Sequence, residues 1–150
     1  MDKIIKIYLD VCTICRPFDD HNQTRIRMER DAYYLILGAL QSHVYQMVIS
    51  PVHSAEINAI SEHYERLEVL AILNKFGVQA SFNKTLGKDR AEQLYSFGFG
   101  IADAAHIAIA EQSADYFITC DDKLIGKCNK YQIDIKVINP IDFCLKEHLE

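Results

Sequence analysis

Four acidic residues stand out in this 150-residue sequence because each falls where a predicted element begins or ends. Asp10 closes an apolar, β-branched run at 3–9 that is typical of a buried strand. Glu56 and Asp121 follow two further predicted strands, and Asp103 lies in the first turn of a predicted helix. The carboxyl ends of parallel strands meet at one edge of a sheet, where ligands bind. We therefore expect these four carboxylates to lie together.

Asp103 is the most informative of the four, since its helix at 100–110 is apolar nearly all round and should be buried. A buried carboxylate is costly unless donors or a cation compensate its charge. Four carboxylates at one edge would also repel one another, and a divalent cation relieves that repulsion. Mg²⁺ and Mn²⁺ suit oxygen ligands. Such an ion generates a hydroxide nucleophile and neutralises a phosphodiester, so the pattern predicts metal-assisted phosphodiester hydrolysis.

The elements that would position these residues alternate along the chain. Strands are predicted at 3–9, 45–49, 78–82, 115–119 and 133–138, and a polar loop at 16–23. Helices are predicted at about 24–43, 53–61, 63–75, 84–97, 100–110 and 122–130, with a last short helix after Asn139-Pro140. This alternation predicts an α/β fold with a parallel sheet and right-handed crossovers. The length predicts a single domain over 1–150.

Composition narrows the function classes. The net charge of −5 argues against loose, charge-driven binding to nucleic acid or anionic membranes. No apolar run is long enough to span a bilayer, and the start MDKIIK leads into no signal peptide, so we expect a cytoplasmic protein with no membrane partner. The cysteines number five, an odd count that favours reduced thiols over a disulfide framework.

The sequence resembles the PIN-domain family of metal-dependent nucleases, which includes VapC-like toxins. Four blocks carry the resemblance, in order and spacing: Ile7–Asp10, Ser50–Ile57, Ala102–Ala108 and Phe117–Asp122. It implies a three-layer fold with a five-stranded parallel sheet in the order 3-2-1-4-5, flanked by helices. It also implies a Mg²⁺- or Mn²⁺-dependent endoribonuclease. Family members are often toxins held by a cognate antitoxin, and many form homodimers.

The resemblance also assigns roles to residues. Asp10, Glu56, Asp103 and Asp121 match the acidic quartet, with Asp10, Asp103 and Asp121 as the metal ligands. Two details depart from a simple match. Cys12 stands where many members carry Asn or Ser, so the hydrogen bond made by that residue is expected either to be missing or to shift to Thr13. Asp122 follows Asp121 directly, and the Thr-x-Asp pattern of the family selects Asp121.

Other polar residues have competing interpretations. Arg16 is the best candidate for a phosphate contact, because its loop leaves the strand that ends at Asp10. The basic stretch around it, Arg16, Arg25, Arg27 and Arg30, serves either RNA binding or ion pairs with Glu29 and Asp31. We predict that His53 and His63 lie on the surface. We predict that His106 is a core histidine bonded to a backbone carbonyl.

The cysteines admit three interpretations. The spacing Cys12-x-x-Cys15 directly after a strand is found in thioredoxin-like redox sites, but there it opens a helix, which the following Arg16-Pro17 disfavours. A zinc half-site lacks a second pair, since Cys120 and Cys128 have the wrong spacing. Structural thiols are favoured. The predicted strand order also places Cys12 and Cys120 beside the carboxylates, where oxidants or soft metals would affect the site.

Two rival functions remain open from the sequence. A catalytically degenerate PIN-like module would bind RNA or a protein partner without cutting, and Cys12 and the acidic net charge favour it. A receiver-type phosphoacceptor would need an Asp at the end of the third strand, and 78–82 offers none.

Overall fold

A five-stranded parallel sheet organises the molecule, which we describe from a computed structural model over residues 3–150. The strands lie in the order β3-β2-β1-β4-β5, so the predicted topology is confirmed. Every pair is parallel, with Ile7 of β1 level with Met47 on one side and Tyr116 on the other. The strands are β1 (Ile5–Leu9), β2 (Tyr45–Ile49), β3 (Gly77–Gln79), β4 (Tyr116–Ile118) and β5 (Lys136–Ile138).

Helices connect the strands on both faces of the sheet. Within residues 3–150 they are α1 (Val11–Ile14), α2 (Thr24–Leu40), α3 (Pro51–Asn58), α4 (His63–Phe76), α5 (Lys84–Ser96), α6 (Ile101–Ser113), α7 (Asp122–Lys130) and α8 (Pro140–Lys146). Several helices begin at a residue whose side chain accepts a hydrogen bond from a backbone N–H of the first turn. Asn83 accepts from Leu86 N at the start of α5, and Asn139 accepts from Ile141 N at the start of α8.

Two apolar cores lie on opposite faces of the sheet, because successive side chains of a strand alternate between faces. Ile7 and Leu9 of β1 pack into one core with α2, α4 and α8. Tyr8, between them, packs into the other core with α5, α6 and α7. The result is a three-layer arrangement with β1 in the middle, as predicted. Asp10 follows β1 and therefore lies at the centre of the carboxyl edge.

The structure differs from the prediction in the loop after β1. Residues 11–14 form the short helix α1, which was not predicted, and residues 16–18 of the predicted polar loop form a 3₁₀ turn. Apolar burial explains the difference, since Ile14 is buried in the core and pulls the segment inward. The outer strands are also shorter than predicted: β5 covers only the last half of 133–138. Edge strands have one partner, so fewer residues join the ladder.

Gly77, which ends α4 as predicted, is needed for close packing and not for an unusual backbone angle. A Cβ atom there would lie 2.5 Å from both Ile49 Cδ1 and the carbonyl oxygen of Leu73. The carbonyl belongs to the last turn of α4 and cannot move away cheaply. Gly77→Ala is therefore expected to lower the free energy of unfolding by about 1–3 kcal/mol.

Urea unfolding of Gly77→Ala measures this effect, and Gly38→Ala is the matched control. Gly38 lies inside α2 with no atom within 4 Å of its added Cβ. That control should gain up to about 1 kcal/mol from helix propensity. Equal stability changes in the two variants would contradict the packing argument.

In the part of the chain that the structure describes, residues 3–150, no helix has the length and apolar character needed to cross a membrane.

Candidate functional site

The predicted acidic residues meet at the carboxyl edge of the sheet. Asp10 follows β1, Glu56 lies in α3, Asp103 in the first turn of α6, and Asp121 at the N-cap of α7. A carboxylate oxygen of Asp10 and one of Glu56 lie within 4.8 Å of each other and of a nitrogen of His106. The carboxylates of Asp10, Asp121 and Glu56 are also near enough to Asp103 to affect its pKa. The donor atoms within 4.8 Å of one another thus include two of the four predicted acids, and the shared role of all four stays a prediction.

Asp10 is buried and is held by two neighbours. Thr119 Oγ1 donates to Asp10 Oδ2 at 2.8 Å, and Cys12 Sγ donates to the same oxygen at 3.4 Å. Both expected alternatives are wrong, because Cys12 itself contacts Asp10 and Thr13 Oγ1 donates to the carbonyl of Ile118 at 3.3 Å. Cys12 therefore keeps a weak version of the contact, and Thr119 supplies the strong one. Parallel pairing of β1 and β4 brings Thr119 beside Asp10. In the sequence, Thr119 could not be distinguished from an ordinary strand residue.

Asp103 carries the clearest electrostatic signature of the site. Burial, followed by the negative charges of Asp10 and Asp121, raises the pKa of Asp103 to about 6. Ionising this group at neutral pH therefore costs free energy. A divalent cation among these oxygens would remove that cost, and the oxygen donors match those that Mg²⁺ and Mn²⁺ take. The residues present thus fit a bound cation of this type.

Neutralising Asp103 should stabilise the metal-free protein. Folding raises the pKa of Asp103 from its ordinary 3.8, so the folded state binds more protons than the unfolded state between about pH 4 and pH 6. The free energy of unfolding of the wild-type protein therefore falls as the pH rises through that range. In Asp103→Asn this decrease is absent, because the side chain cannot ionise. At pH 7 we expect the variant to gain about 1 kcal/mol, after allowing for solvent screening of a half-buried group.

Unfolding by urea in EDTA at pH 4 and pH 7 checks the gain. It should be small at pH 4 and full at pH 7. Asp89→Asn is the control, because Asp89 is an exposed aspartate on α5 away from the site. A gain that does not change with pH would contradict the electrostatic origin.

The adjacent carboxylates Asp121 and Asp122 have different partners. Asp121 caps α7, accepting from Lys123 N and Leu124 N, and its charge acts on Asp103. Asp122 forms a two-bond ion pair with Arg25, at 2.5 and 2.6 Å, and that pairing lowers the pKa of Asp122. Asp122 is thus engaged by Arg25, and the selection of Asp121 for the site stays a prediction.

His106 contacts the acidic site, which differs from the predicted role. It is fully buried, as predicted, but its Nε2 bonds the Glu56 carboxylate and its Nδ1 bonds the Tyr8 hydroxyl. The bond from His106 lowers the pKa of Glu56, so Glu56 is ionised at neutral pH. The spacing Asp103-x-x-His106 puts both residues on one helix face, a signal that was present in the sequence.

His53 is also buried, so its predicted surface position is wrong. Its Nδ1 accepts from Ser50 N at 3.0 Å and its Nε2 bonds the Leu9 carbonyl at 2.7 Å. It is His53, and not His106, that bonds a backbone carbonyl. Burial lowers the pKa of His53 to about 4, so the His53 ring is neutral. His63 is exposed, as predicted.

Arg16 lies beside the site but is engaged in ion pairs. Its Nε bonds Glu29 Oε1 at 3.1 Å and its Nη1 bonds Asp19 Oδ2 at 2.8 Å. Arg25 bonds Glu29 as well, at 3.4 Å, and Arg30 pairs with Asp31 at 3.0 Å. The predicted pairing of this basic stretch with Glu29 and Asp31 is therefore present.

The cysteines do not form a thioredoxin-like pair. Contrary to the argument from Arg16-Pro17, Cys12 does lie in a helix, the short α1. However, the hydrogen bond to Cys120, together with burial, raises the pKa of Cys12, and burial raises the pKa of Cys15 to about 12. A redox-active dithiol needs a lowered pKa. All five cysteines are free thiols. Cys12 contacts the Asp10 carboxylate, as expected for a thiol beside the acidic residues, whereas Cys120 contacts the Thr13 hydroxyl.

Comparison with known proteins supports the fold. No protein-family model matches the sequence, and no curated protein matches it. Among solved structures, FitAcB from Neisseria gonorrhoeae matches with a TM-score of 0.53 and 18% identity, covering 89% of this chain and 97% of that one. VapBC2 from Rickettsia felis, bound to a DNA fragment from their promoter, matches with a TM-score of 0.58 and 16% identity, covering 90% and 98%. The chain shares the fold of these two structures, in agreement with the PIN-like fold that the resemblance implies.

Proposed function

From this PIN-domain toxin fold, we propose that the chain is a metal-dependent endoribonuclease that hydrolyses RNA phosphodiester bonds. The observation that carries the proposal is the crowding of carboxylates at the carboxyl edge, which raises the pKa of Asp103 to about 6. A protein retains such an unfavourable cluster where a site needs it. Asp10, Glu56, Asp103 and Asp121 are the proposed catalytic residues, and Asp10, Asp103 and Asp121 would hold Mg²⁺ or Mn²⁺.

Each residue has a chemical role in this proposal. A bound divalent cation supplies a hydroxide nucleophile and neutralises the phosphate. Thr119 fixes the orientation of the Asp10 carboxylate through its 2.8 Å bond. Glu56 is ionised and partly exposed, so it can accept a proton from an attacking water. Arg16, the first residue of the 3₁₀ turn after α1, is the proposed phosphate contact.

The biological setting is part of the same proposal. The two structural neighbours are toxin–antitoxin complexes, which supports a toxin role and a cognate antitoxin as partner. A homodimer and a cytoplasmic location complete the proposal. We propose RNA as the substrate because the site chemistry suits phosphodiester hydrolysis.

Metal removal tests the activity directly. Wild-type protein incubated with a labelled single-stranded RNA should cut it with Mn²⁺, and EDTA should reduce the rate by at least about 100-fold, since a cation contributes several kcal/mol to such a transition state. Excess Mn²⁺ should restore cleavage. Cleavage that persists in EDTA would contradict the proposal. A folded protein that never cuts would favour the non-cutting, RNA- or protein-binding module.

A further inference from the structure

The buried ring of His106 faces the space between Asp10 and Glu56. Its side chain is fully buried, and one of its nitrogens lies within 4.8 Å of a carboxylate oxygen of each acid. Three donor atoms at such distances can ligate one ion. Two of the three are on predicted catalytic residues, and the third, His106, was assigned to the core from the sequence.

Both ring nitrogens of His106 have identifiable partners. An ionised carboxylate only accepts hydrogen bonds, so Nε2 carries the proton that bonds Glu56. In the neutral ring, Nδ1 then accepts from the Tyr8 hydroxyl, which also lies 2.7 Å from Ser50 Oγ. These contacts fix the ring plane and aim Nε2 at the carboxylates.

Both partners of His106 are side chains, which allows the ring to change tautomer. If the proton leaves Nε2 and another is taken up at Nδ1, the ring stays neutral and Nδ1 donates to the Tyr8 oxygen. The Nε2 lone pair is then free toward Asp10 and Glu56. A second group that fixes the unligated nitrogen is the usual arrangement for metal-binding histidines.

His53 provides the contrast within the same cluster, with its ring centroid 5.0 Å from that of His106. Both of its nitrogens bond backbone atoms, Ser50 N and Leu9 O. Backbone partners within the capped start of α3 and the end of β1 cannot be exchanged without breaking those elements. His53 is therefore a structural histidine, whereas His106 can release a nitrogen.

We propose that His106 Nε2 is a nitrogen ligand of the cation held by Asp10, next to Glu56, with Tyr8 as the orienting partner of His106. Imidazole nitrogen suits first-row transition ions better than Mg²⁺, which takes oxygen. The site therefore favours a transition ion over Mg²⁺. Mn²⁺, the weakest binder of that series, is the strictest probe. The inference rests on the proposed function only in placing a cation at this site.

Pulsed electron paramagnetic resonance of Mn²⁺ on the whole chain tests this ligand. Wild-type protein should show nitrogen hyperfine coupling, and labelling histidine with ¹⁵N should convert the ¹⁴N pattern to the ¹⁵N one. This readout needs no mutation, so a variant that misfolds does not affect it. His106→Gln should lose the coupling and bind Mn²⁺ at least about tenfold more weakly. His53→Gln, where it folds, should keep the coupling.

Competition with Mg²⁺ gives a second measurement. About tenfold more Mg²⁺ should be needed to displace Mn²⁺ from wild type than from His106→Gln. Bound Mn²⁺ without histidine coupling, alongside normal RNA cleavage, would overturn this inference and leave the proposed function standing. Histidine coupling without any RNA cleavage would support this inference and overturn the proposed function. No Mn²⁺ binding at all would overturn both.

Discussion

Replacing Asp10 with asparagine is expected to reduce Mn²⁺-dependent RNA cleavage by at least about 1000-fold while the protein stays folded. Asp10 is buried at the centre of the carboxyl edge, and its Oδ2 receives the bonds from Thr119 and Cys12. Asparagine has the same shape and can still accept from Thr119. It lacks the negative charge that a cation needs.

The measurement pairs an RNA cleavage assay with thermal unfolding. Asp122→Asn is the matched control. Asp122 is an exposed aspartate next to Asp121, and the Asp122 carboxylate pairs with Arg25. The control should keep its cleavage rate within about twofold, since surface ion pairs contribute little. Full activity in Asp10→Asn would remove the proposed mechanism. Equal loss in both variants would show that the assay reports general charge and not the site.

Loss of the Glu29 carboxylate should produce the largest change in stability, about 3–5 kcal/mol for Glu29→Ala. Glu29 is fully buried and receives bonds from three residues on different segments. Arg16 bonds it at 3.1 Å, Arg25 at 3.4 Å and Asn139 Nδ2 at 2.5 Å. Removing the carboxylate leaves the buried Asn139 amide without this acceptor. The 3₁₀ turn after β1, through Arg16, and the start of α8, through Asn139, would no longer be joined by the Glu29 carboxylate.

Urea unfolding of Glu29→Ala checks this effect, with Asp31→Ala on the same helix as the control. Asp31 also pairs with an arginine, Arg30, but its side chain is 66% exposed. An exposed pair contributes at most about 1 kcal/mol, so the control should change little. Similar losses in the two variants would show that burial does not set the energy of the Glu29 network. Glu29→Gln, which keeps the shape and one oxygen, should fall between wild type and Glu29→Ala.

Sequence reasoning was most successful where a periodic pattern and a charge coincide. The apolar run before Asp10 and the apolar helix around Asp103 each permit one burial pattern, and the structure has the predicted strand order. The proposed catalytic role of the acidic residues at that edge stays a prediction. The sequence did indicate that these residues lie next to the ends of strands or at the start of a helix, and the ends of parallel strands share one edge of the sheet.

The sequence was least informative about partners that are far apart in the chain. Thr119 and Asp10 are 109 residues apart, and only the β1–β4 register brings them together. His53 was predicted to lie on the surface, yet its bonds to Ser50 N and to the Leu9 carbonyl hold the ring in the interior. Helix α1 was missed because four residues are too few for a periodic signal.

The central position of β1 also sets when the site can exist during synthesis. Asp10 N bonds the carbonyl of Ile118, and Thr119 completes the hydrogen bonds of its carboxylate. A growing chain lacks these residues until β4 has been translated, so the early strand waits for a distant partner. The strand at the middle of the sheet is therefore the first to be made, yet Asp10 gains its hydrogen-bond partners only from a segment 109 residues further along the chain.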